Sequence, residues 1–336
     1  MSVIMKQREQ ALQKWLATLC DITEPVLIAL PGDASCRRYF RLLQGADSYI
    51  VMDAPPEREN TLSYIAISRA LRAEGLLTPE IIAHDSSQGF LLITDFGDRL
   101  LLRELNADNV ELLYTQALNA LAVLRCCSTV SGWQIPLFTA DFMYKELKLF
   151  QEWYLVNHLA IGLSTADEKM LERLFSFLAA TAASQPQVFM HRDYHSANLM
   201  VLVNSQIGIL DFQDAFIGPV TYDLVSLLRD CYIAWPEDQV KKLVLEYKGQ
   251  LNISSSNDEF LRWFDLMGLQ RHLKALLTFS RKYRRDGDAN YLKHIPRTLN
   301  YIMQESQYYP ECQAFQGFLY NVMMPAQQER IALCVE

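Results

Sequence analysis

At 336 residues, 50% hydrophobic and 21% charged, the chain is long enough to bury a large core and too long for one core to keep growing, so two lobes are expected. A formal net charge of −8 at pH 7 excludes a protein that grips nucleic acid by neutralising phosphates along a basic face, while leaving room for a local anion site. No apolar run reaches the roughly 18 residues of a membrane span. The 7 cysteines follow neither a paired framework nor a zinc spacing, and the N-terminus around Lys6, Arg8 and Glu9 lacks the apolar stretch of a signal peptide. A reduced, cytoplasmic protein with no membrane or nucleic-acid partner is the expectation.

Met5, Leu12, Trp15, Leu16 and Leu19 fall on one stripe and predict a helix over 5–20. Gly32-Asp33-Ala34-Ser35 is a turn, followed by an alternating run at 39–43 and a partner strand at 49–52. The tip of this hairpin can fold over a phosphate chain through backbone N–H groups, although a lone small-residue turn is usually only a turn. A helix over 61–74 precedes two strands, 81–84 and 89–94, the second apolar enough to lie centrally. That strand ends in Thr94-Asp95-Phe96-Gly97-Asp98, a polar join that divides an N-lobe over 1–97 from a C-lobe over 98–336. The backbone of Thr94, Asp95 and Phe96 suits a hinge against an adenine ring. Asp95-Phe96-Gly97 also spells the metal-binding triplet of protein kinases, but it precedes the His-Arg-Asp stretch that such a triplet should follow.

Helices are expected over 99–130 and 139–160, and over 165–183 with Thr165 and Glu168 spaced as a capping box. Short branched runs at 188–190, 199–203 and 207–210 read as strands, the last two joined by a turn at Asn204-Ser205-Gln206. Further helices over 223–231, 236–250, 258–285, 294–309 and 310–334 complete the chain. The fold class is α+β, with a small β-rich N-lobe and a larger, mainly helical C-lobe carrying a small sheet.

Chemistry concentrates on the connections of 188–215. Asp193 lies on a polar loop, Asn198 follows five residues later, and Asp211 ends the next apolar strand but one. Phosphoryl transfer needs such a set: an acid facing the acceptor hydroxyl, and an amide and a second acid facing Mg²⁺ between phosphates. Two other readings compete. In one, each polar residue is a mere turn cap; in the other, His191, Asp193 and His195 ligate zinc in a hydrolase. The zinc reading leaves Asn198 and Asp211 without a task, and His191 fits better as a support packed beneath the loop.

The stretches Val-Phe-Met-His-Arg-Asp-Tyr-His-Ser-Ala-Asn-Leu-Met (188–200) and Ile-Leu-Asp-Phe-Gln-Asp-Ala (209–215) resemble motifs of the aminoglycoside phosphotransferase and choline kinase superfamily. The flanking stretches at 32–41, 218–224, 227–236, 268–274 and 291–297 are similar to its cell-wall-recycling branch, the anomeric N-acetylmuramate/N-acetylglucosamine kinases. The resemblance spans both lobes. It implies a bilobal protein-kinase-like fold, ATP and Mg²⁺, and a small-molecule amino sugar phosphorylated at its C1 hydroxyl. On this sequence it makes Asp193 the catalytic base or hydroxyl-orienting acid and Asn198 and Asp211 the metal ligands. Gly32, Asp33, Ala34 and Ser35 would cover the phosphates. Oligomeric state is left open, a monomer being compatible.

One departure is the absent lysine of the third strand, where Tyr49-Ile50-Val51-Met52-Asp53 offers none. Arg37, Arg38 or Arg41 supplies that charge, Arg38 being preferred, or the chain binds nucleotide poorly and is an inactive scaffold. The runner-up acceptor for the same machinery is an aminoglycoside, a choline-like alcohol or homoserine. Candidates at the substrate are His195, Gln213, Asp214, Arg229, Trp235, Arg271 and His272. Arg271 and His272 head a cationic helix suited to a carboxylate, Trp235 can stack on a sugar or pack in the core, and Arg229 and Asp230 can pair beneath the turn.

Overall fold

The computed structural model describes residues 3–19, 26–31 and 36–333. Helix α1 (Val3–Leu19) is followed by strands β1 (Val26–Ala29), β2 (Arg38–Gln44) and β3 (Asp47–Asp53). Helix α2 (Thr61–Ala73) precedes β4 (Ile81–Asp85) and β5 (Phe90–Thr94). Next come α3 (Leu101–Glu104), α4 (Val110–Leu124), α5 (Ala140–Phe150), which continues as a wider π-turn over Gln151–His158, and α6 (Thr165–Ser184). Strands β6 (Gln187–Met190), β7 (Leu199–Val201), β8 (Ile207–Ile209) and β9 (Phe216–Pro219) precede α7 (Tyr222–Leu228) and α8 (Glu237–Gly249). The chain then runs through α9 (Asn257–Asp286), α10 (Ile295–Ser306), α11 (Gln313–Phe318) and α12 (Met324–Leu333).

Contacts divide the chain into two units: the described residues of Met1–Glu104 with Thr129–Gln134 and Leu199–Asp214, and Leu105–Ser128 with Ile135–Asn198 and Ala215–Glu336. The first holds an antiparallel five-stranded sheet in the order β1-β2-β3-β5-β4. Its β2–β3 hairpin closes through Gly45 at φ +61°, a backbone state that a hairpin of two turn residues requires. Alternation sends Phe40 and Leu42 of β2 to one face, where Leu12, Trp15 and Leu16 of α1 cover them. Burial leaves Phe90 to Ile93 of β5 almost no solvent, as expected of a central strand. The β7–β8 hairpin joins this unit through a bridge from Leu77 to Gly208 and a bond from Val201 N to the Arg99 carbonyl.

The second unit is helical around α9, whose Leu266, Leu269, Leu273 and Leu276 lie on one stripe. That stripe packs with Leu147 and Phe150 of α5, Leu171 and Phe175 of α6, and Leu299 and Ile302 of α10. Ser256 caps α9 at its start, and Gly287, left-handed at φ +74°, ends it. Among the described residues no helix is long and apolar enough to cross a membrane.

Three local expectations change. The capping box of α6 uses Ser164 and Asp167, one residue upstream of Thr165 and Glu168, because Ser164 has the extended backbone that a cap needs. The helix expected over 99–130 is two, broken where the Asn106 side chain accepts the N–H groups of Asp108 and Asn109. Phe216–Pro219 forms a strand against β6, a pairing that Gly218 and Pro219 concealed from propensity.

Candidate active site

The loop between β6 and β7 is gripped at both ends by aspartates that flank α7. Asp223, in the first turn of α7, accepts the N–H groups of His191 (2.6 Å) and Arg192 (2.9 Å). These bonds hold Arg192 at φ +80°, a conformation that a side-chain-bearing residue rarely adopts. Burial pushes the Asp223 carboxyl up to about 7, against the pull of those two N–H groups. Arg192 is kept in place by Glu146 at 2.8 Å and by the face of Phe216. Just past α7, Asp230 accepts Ser196 N (2.9 Å) and Oγ (2.5 Å) through one oxygen and Tyr232 N (2.8 Å) through the other. Within the loop, Asn198 Nδ2 donates to the Asp193 carbonyl at 3.0 Å, turning the five-residue spacing into a closed turn. His191 is buried and its Nδ1 accepts Asp193 N at 3.3 Å, the supporting role expected of it.

The Asp193 carboxylate keeps 41% of its side-chain exposure and faces α9. Arg271 Nη2 stands 3.9 Å from it and Lys274 Nζ 4.0 Å. Three residues apart, the two cations share a helix face. Each is fixed from behind, Arg271 by Ser226 Oγ and Lys274 by the Tyr222 hydroxyl at 3.0 Å. Burial alone would push the Asp193 carboxyl up. Lys274, His195, Arg271 and Arg192 together outweigh it and hold the group well below the usual carboxylate range.

In the first unit, Asp211 follows β8 at φ +59°, and Gln213 Nε2 bonds its Oδ1 at 2.6 Å and Asp214 at 3.3 Å. Phe212 turns inward against Tyr64. Arg37 bonds Glu59 at 2.8 Å and points its other nitrogen at Asp211 from 3.9 Å. Arg38 is instead paired with Asp53, a fully buried acid that also takes Arg8. Arg41 is held by Asp95 at 2.6 Å and Asp98 at 2.8 Å. Of the three arginines, Arg37 is the one set beside Asp211.

Gly32, Asp33, Ala34 and Ser35 lie outside the described residues. Thr94 Oγ1 accepts Glu80 N at 2.9 Å, and Asp95 is further committed to Ser48 and Gly97 N, so these side chains fix the end of β5. Phe96 covers Gly208 so closely that a Cβ there would meet the ring at 2.7 Å.

Mg²⁺ takes hard oxygen donors, commonly only one or two of them carboxylates, with water and substrate phosphates filling the rest. The Asp211 carboxylate and the amide oxygen of Asn198 are donors of that kind. Among the described residues no group of three or more His, Cys, Asp or Glu could hold a metal by itself. With its Nδ1 turned to the Asp193 backbone, His191 is a poor zinc ligand.

The expected substrate residues separate. Arg271 is at Asp193; His195 is beside it, its ring edge-on to Tyr232 at 5.3 Å. Gln213 and Asp214 stay with Asp211. Trp235 donates its indole N–H to the Tyr114 hydroxyl at 3.0 Å and packs edge-to-face on that ring. Arg229 does not pair with Asp230; it is buried against Asp265 (2.8 Å), Glu305 (3.1 Å) and Glu237 (2.5 Å). His272 is fully buried, with Nδ1 on Glu305 at 2.8 Å and Nε2 on the Arg229 carbonyl at 3.0 Å. Both ring nitrogens face acceptors, which is the pattern of an imidazolium. Burial would lower its pKa, but Glu305 lifts it to about 10. Gly268 lacks a side chain where the Glu305 carboxylate passes.

Asp223, Lys274, Glu146 and Glu59 escaped the sequence reading as site residues. Lys274 was visible as a member of the cationic helix three residues from Arg271, whereas nothing local marks Glu146, which is 46 residues from Arg192.

The model of the phosphotransferase enzyme family matches residues 26–264. An N-acetylmuramate/N-acetylglucosamine kinase of Pseudomonas aeruginosa is 39% identical over 281 residues, covering 82% of each chain. A protein of the same name from Neisseria meningitidis is 35% identical, covering 91% of this chain and 93% of its own. Among solved structures, a choline/ethanolamine kinase family protein from Mesorhizobium loti aligns with a TM-score of 0.63 at 15% identity, covering 95% of this chain and 99% of that one. Its likeness identifies the fold as protein-kinase-like, with a sheet-based N-lobe and a helical C-lobe.

Proposed function

The chain belongs to the phosphotransferase enzyme family and transfers phosphate to a hydroxyl acceptor, and we propose that this acceptor is the anomeric hydroxyl of N-acetylmuramate or N-acetylglucosamine. ATP is the proposed donor, with Mg²⁺ as cofactor, and the sugar 1-phosphate product would return amino sugar from cell-wall turnover to synthesis. The observation that carries the choice of acceptor is the cationic rim of Asp193, made by Arg271 and Lys274 in a protein of net charge −8. Such a rim suits a neutral or anionic sugar and repels a polycation such as an aminoglycoside.

In this reading Asp193 accepts a hydrogen bond from the acceptor hydroxyl and aims its oxygen at the γ-phosphorus. The new O–P bond forms as the bond to ADP breaks, and the hydroxyl proton departs by way of Asp193. A carboxylate held so firmly ionised is a weak base. The step is nevertheless feasible, because the ring oxygen acidifies an anomeric hydroxyl and because phosphoryl transfer asks for proton removal late. Asn198 and Asp211 are the proposed oxygen ligands of Mg²⁺, which neutralises phosphate charge when bound. Arg37, steadied by Glu59, replaces the third-strand lysine, aided by the backbone of Gly32 to Ser35. The backbone of Thr94 to Phe96 receives the adenine.

The test is incubation with ATP, Mg²⁺ and a panel of amino sugars, followed by phosphorus spectra. An acid-labile anomeric phosphate from either sugar is expected. Transfer to a different hydroxyl, or to choline or an aminoglycoside alone, would sink the reading.

A further inference from the structure

The two acceptors differ by one group: muramate carries a lactyl carboxylate that glucosamine lacks. Resting on the acceptor just proposed, we infer that Arg297 and Tyr301 of α10 form the subsite for that carboxylate and so set the preference between the charged and the neutral sugar.

The buried and half-buried cations packed around α7 and the Asp193 loop already have an acid. Arg192 has Glu146, Arg229 has three carboxylates, and Arg271 and Lys274 share Asp193. Arg297 is half-buried and donates Nη1 to the Cys231 carbonyl at 3.0 Å, and no ion pair commits the rest of its guanidinium among the described residues. One turn along the same face, Tyr301 is 5% exposed, and its hydroxyl has no hydrogen-bond partner among the described residues. Its ring is stacked on His272 at 4.8 Å, so the hydroxyl is held in place. A fixed phenol O–H beside a guanidinium offers the donors that a carboxylate accepts.

The subsite connects to the catalytic loop through rings and bonds. His195 meets Tyr232 edge-on at 5.3 Å, and Tyr232 meets His294, the residue that opens α10, at 4.8 Å. Asp230 is the acid close enough to influence both Tyr301 and His294. Asp230 is bonded to Ser196 and to Tyr232 N and lies within the field of Arg271, and Glu305, which also acts on Tyr301, is paired with His272 and Arg229. The buried, unpartnered Nδ1 of His195 adds a polar group at the Asp193 end of this row of rings.

Steady-state kinetics of the full chain with ATP and Mg²⁺ test this with N-acetylmuramate, its lactyl amide and N-acetylglucosamine. Arg297→Gln retains a donor for the Cys231 carbonyl and removes the charge. KM for N-acetylmuramate should rise by about tenfold or more, the effect of losing a hydrogen bond to a charged group, with N-acetylglucosamine unchanged within about twofold. Arg297→Lys should recover part of the loss, and Tyr301→Phe should shift the same preference less. On the unmodified enzyme the lactyl amide should behave like the variant's acid. Equal shifts for both sugars, or an amide as good as the acid, would overturn the subsite. If the unmodified chain phosphorylates neither sugar, the acceptor reading itself has failed and the subsite falls with it, an outcome visible before any variant is made.

Discussion

Arg271 and His272 are consecutive on α9 and serve opposite ends. On the side of the β6–β7 loop, Arg271 and Lys274 stand 3.9 and 4.0 Å from Asp193, beyond hydrogen-bond length. Their field keeps the carboxylate ionised without occupying its oxygens, which remain available to an acceptor hydroxyl. On the core side, His272 and Arg229 touch Glu305 directly, at 2.8 and 3.1 Å, out of reach of any ligand. The difference lies in spacing. The charges beside the proposed reacting group are held at a short remove, whereas those that hold helices together are in contact.

The largest test of the first side is Asp193→Asn. It should reduce kcat by about 10²- to 10⁴-fold, the usual worth of a positioned acid–base group, while ATP affinity stays within a few-fold. Retained turnover would take Asp193 out of its assigned role. On the second side, Glu305→Gln strands the buried imidazolium of His272 and takes one of three acids from Arg229, and should cost about 3–5 kcal/mol of stability in denaturant unfolding, with KM values little changed at low temperature. A cost no greater than that of a surface change would dissolve the contrast.

Lys274→Met probes the intermediate distance. The acid limb of the kcat/KM profile should move toward neutral pH by about one unit or more, since an opposite charge near 4 Å typically depresses a carboxyl by that much. An unmoved limb would mean that Lys274 serves only Tyr222. Smallest per unit of pH is the titration of His272. Because its pKa is raised in the fold, its contribution is complete below the ordinary histidine value and is lost as pH rises through about 10. The slope of stability with pH should be at most about 1.4 kcal/mol per unit over that window, and Glu305→Gln should flatten it.

What was legible in the sequence follows the range of the interactions. Asp193, Asn198 and Asp211 stood out as candidates because their spacing is set by one strand–loop–hairpin run. The helices of the second unit could be found because their stripes are periodic. Arg271 and His272 could not be told apart, since their partners Ser226 and Glu305 lie 45 and 33 residues away. The choice among Arg37, Arg38 and Arg41 rested on strand register: Arg38 stands directly opposite Asp53 in the β2–β3 ladder, a pairing that leaves Arg37 for Asp211.

That buried Asp53, balanced by Arg8 and Arg38, also constrains how this chain can change. Asp53→Lys, the simplest route to a third-strand lysine at that site, would gather three cations where one acid now bridges two. A replacement that removes or reverses this charge leaves the arginine from α1 and the arginine from β2 without their shared acid. The pair of arginines thus sets the charge that this position of β3 can carry.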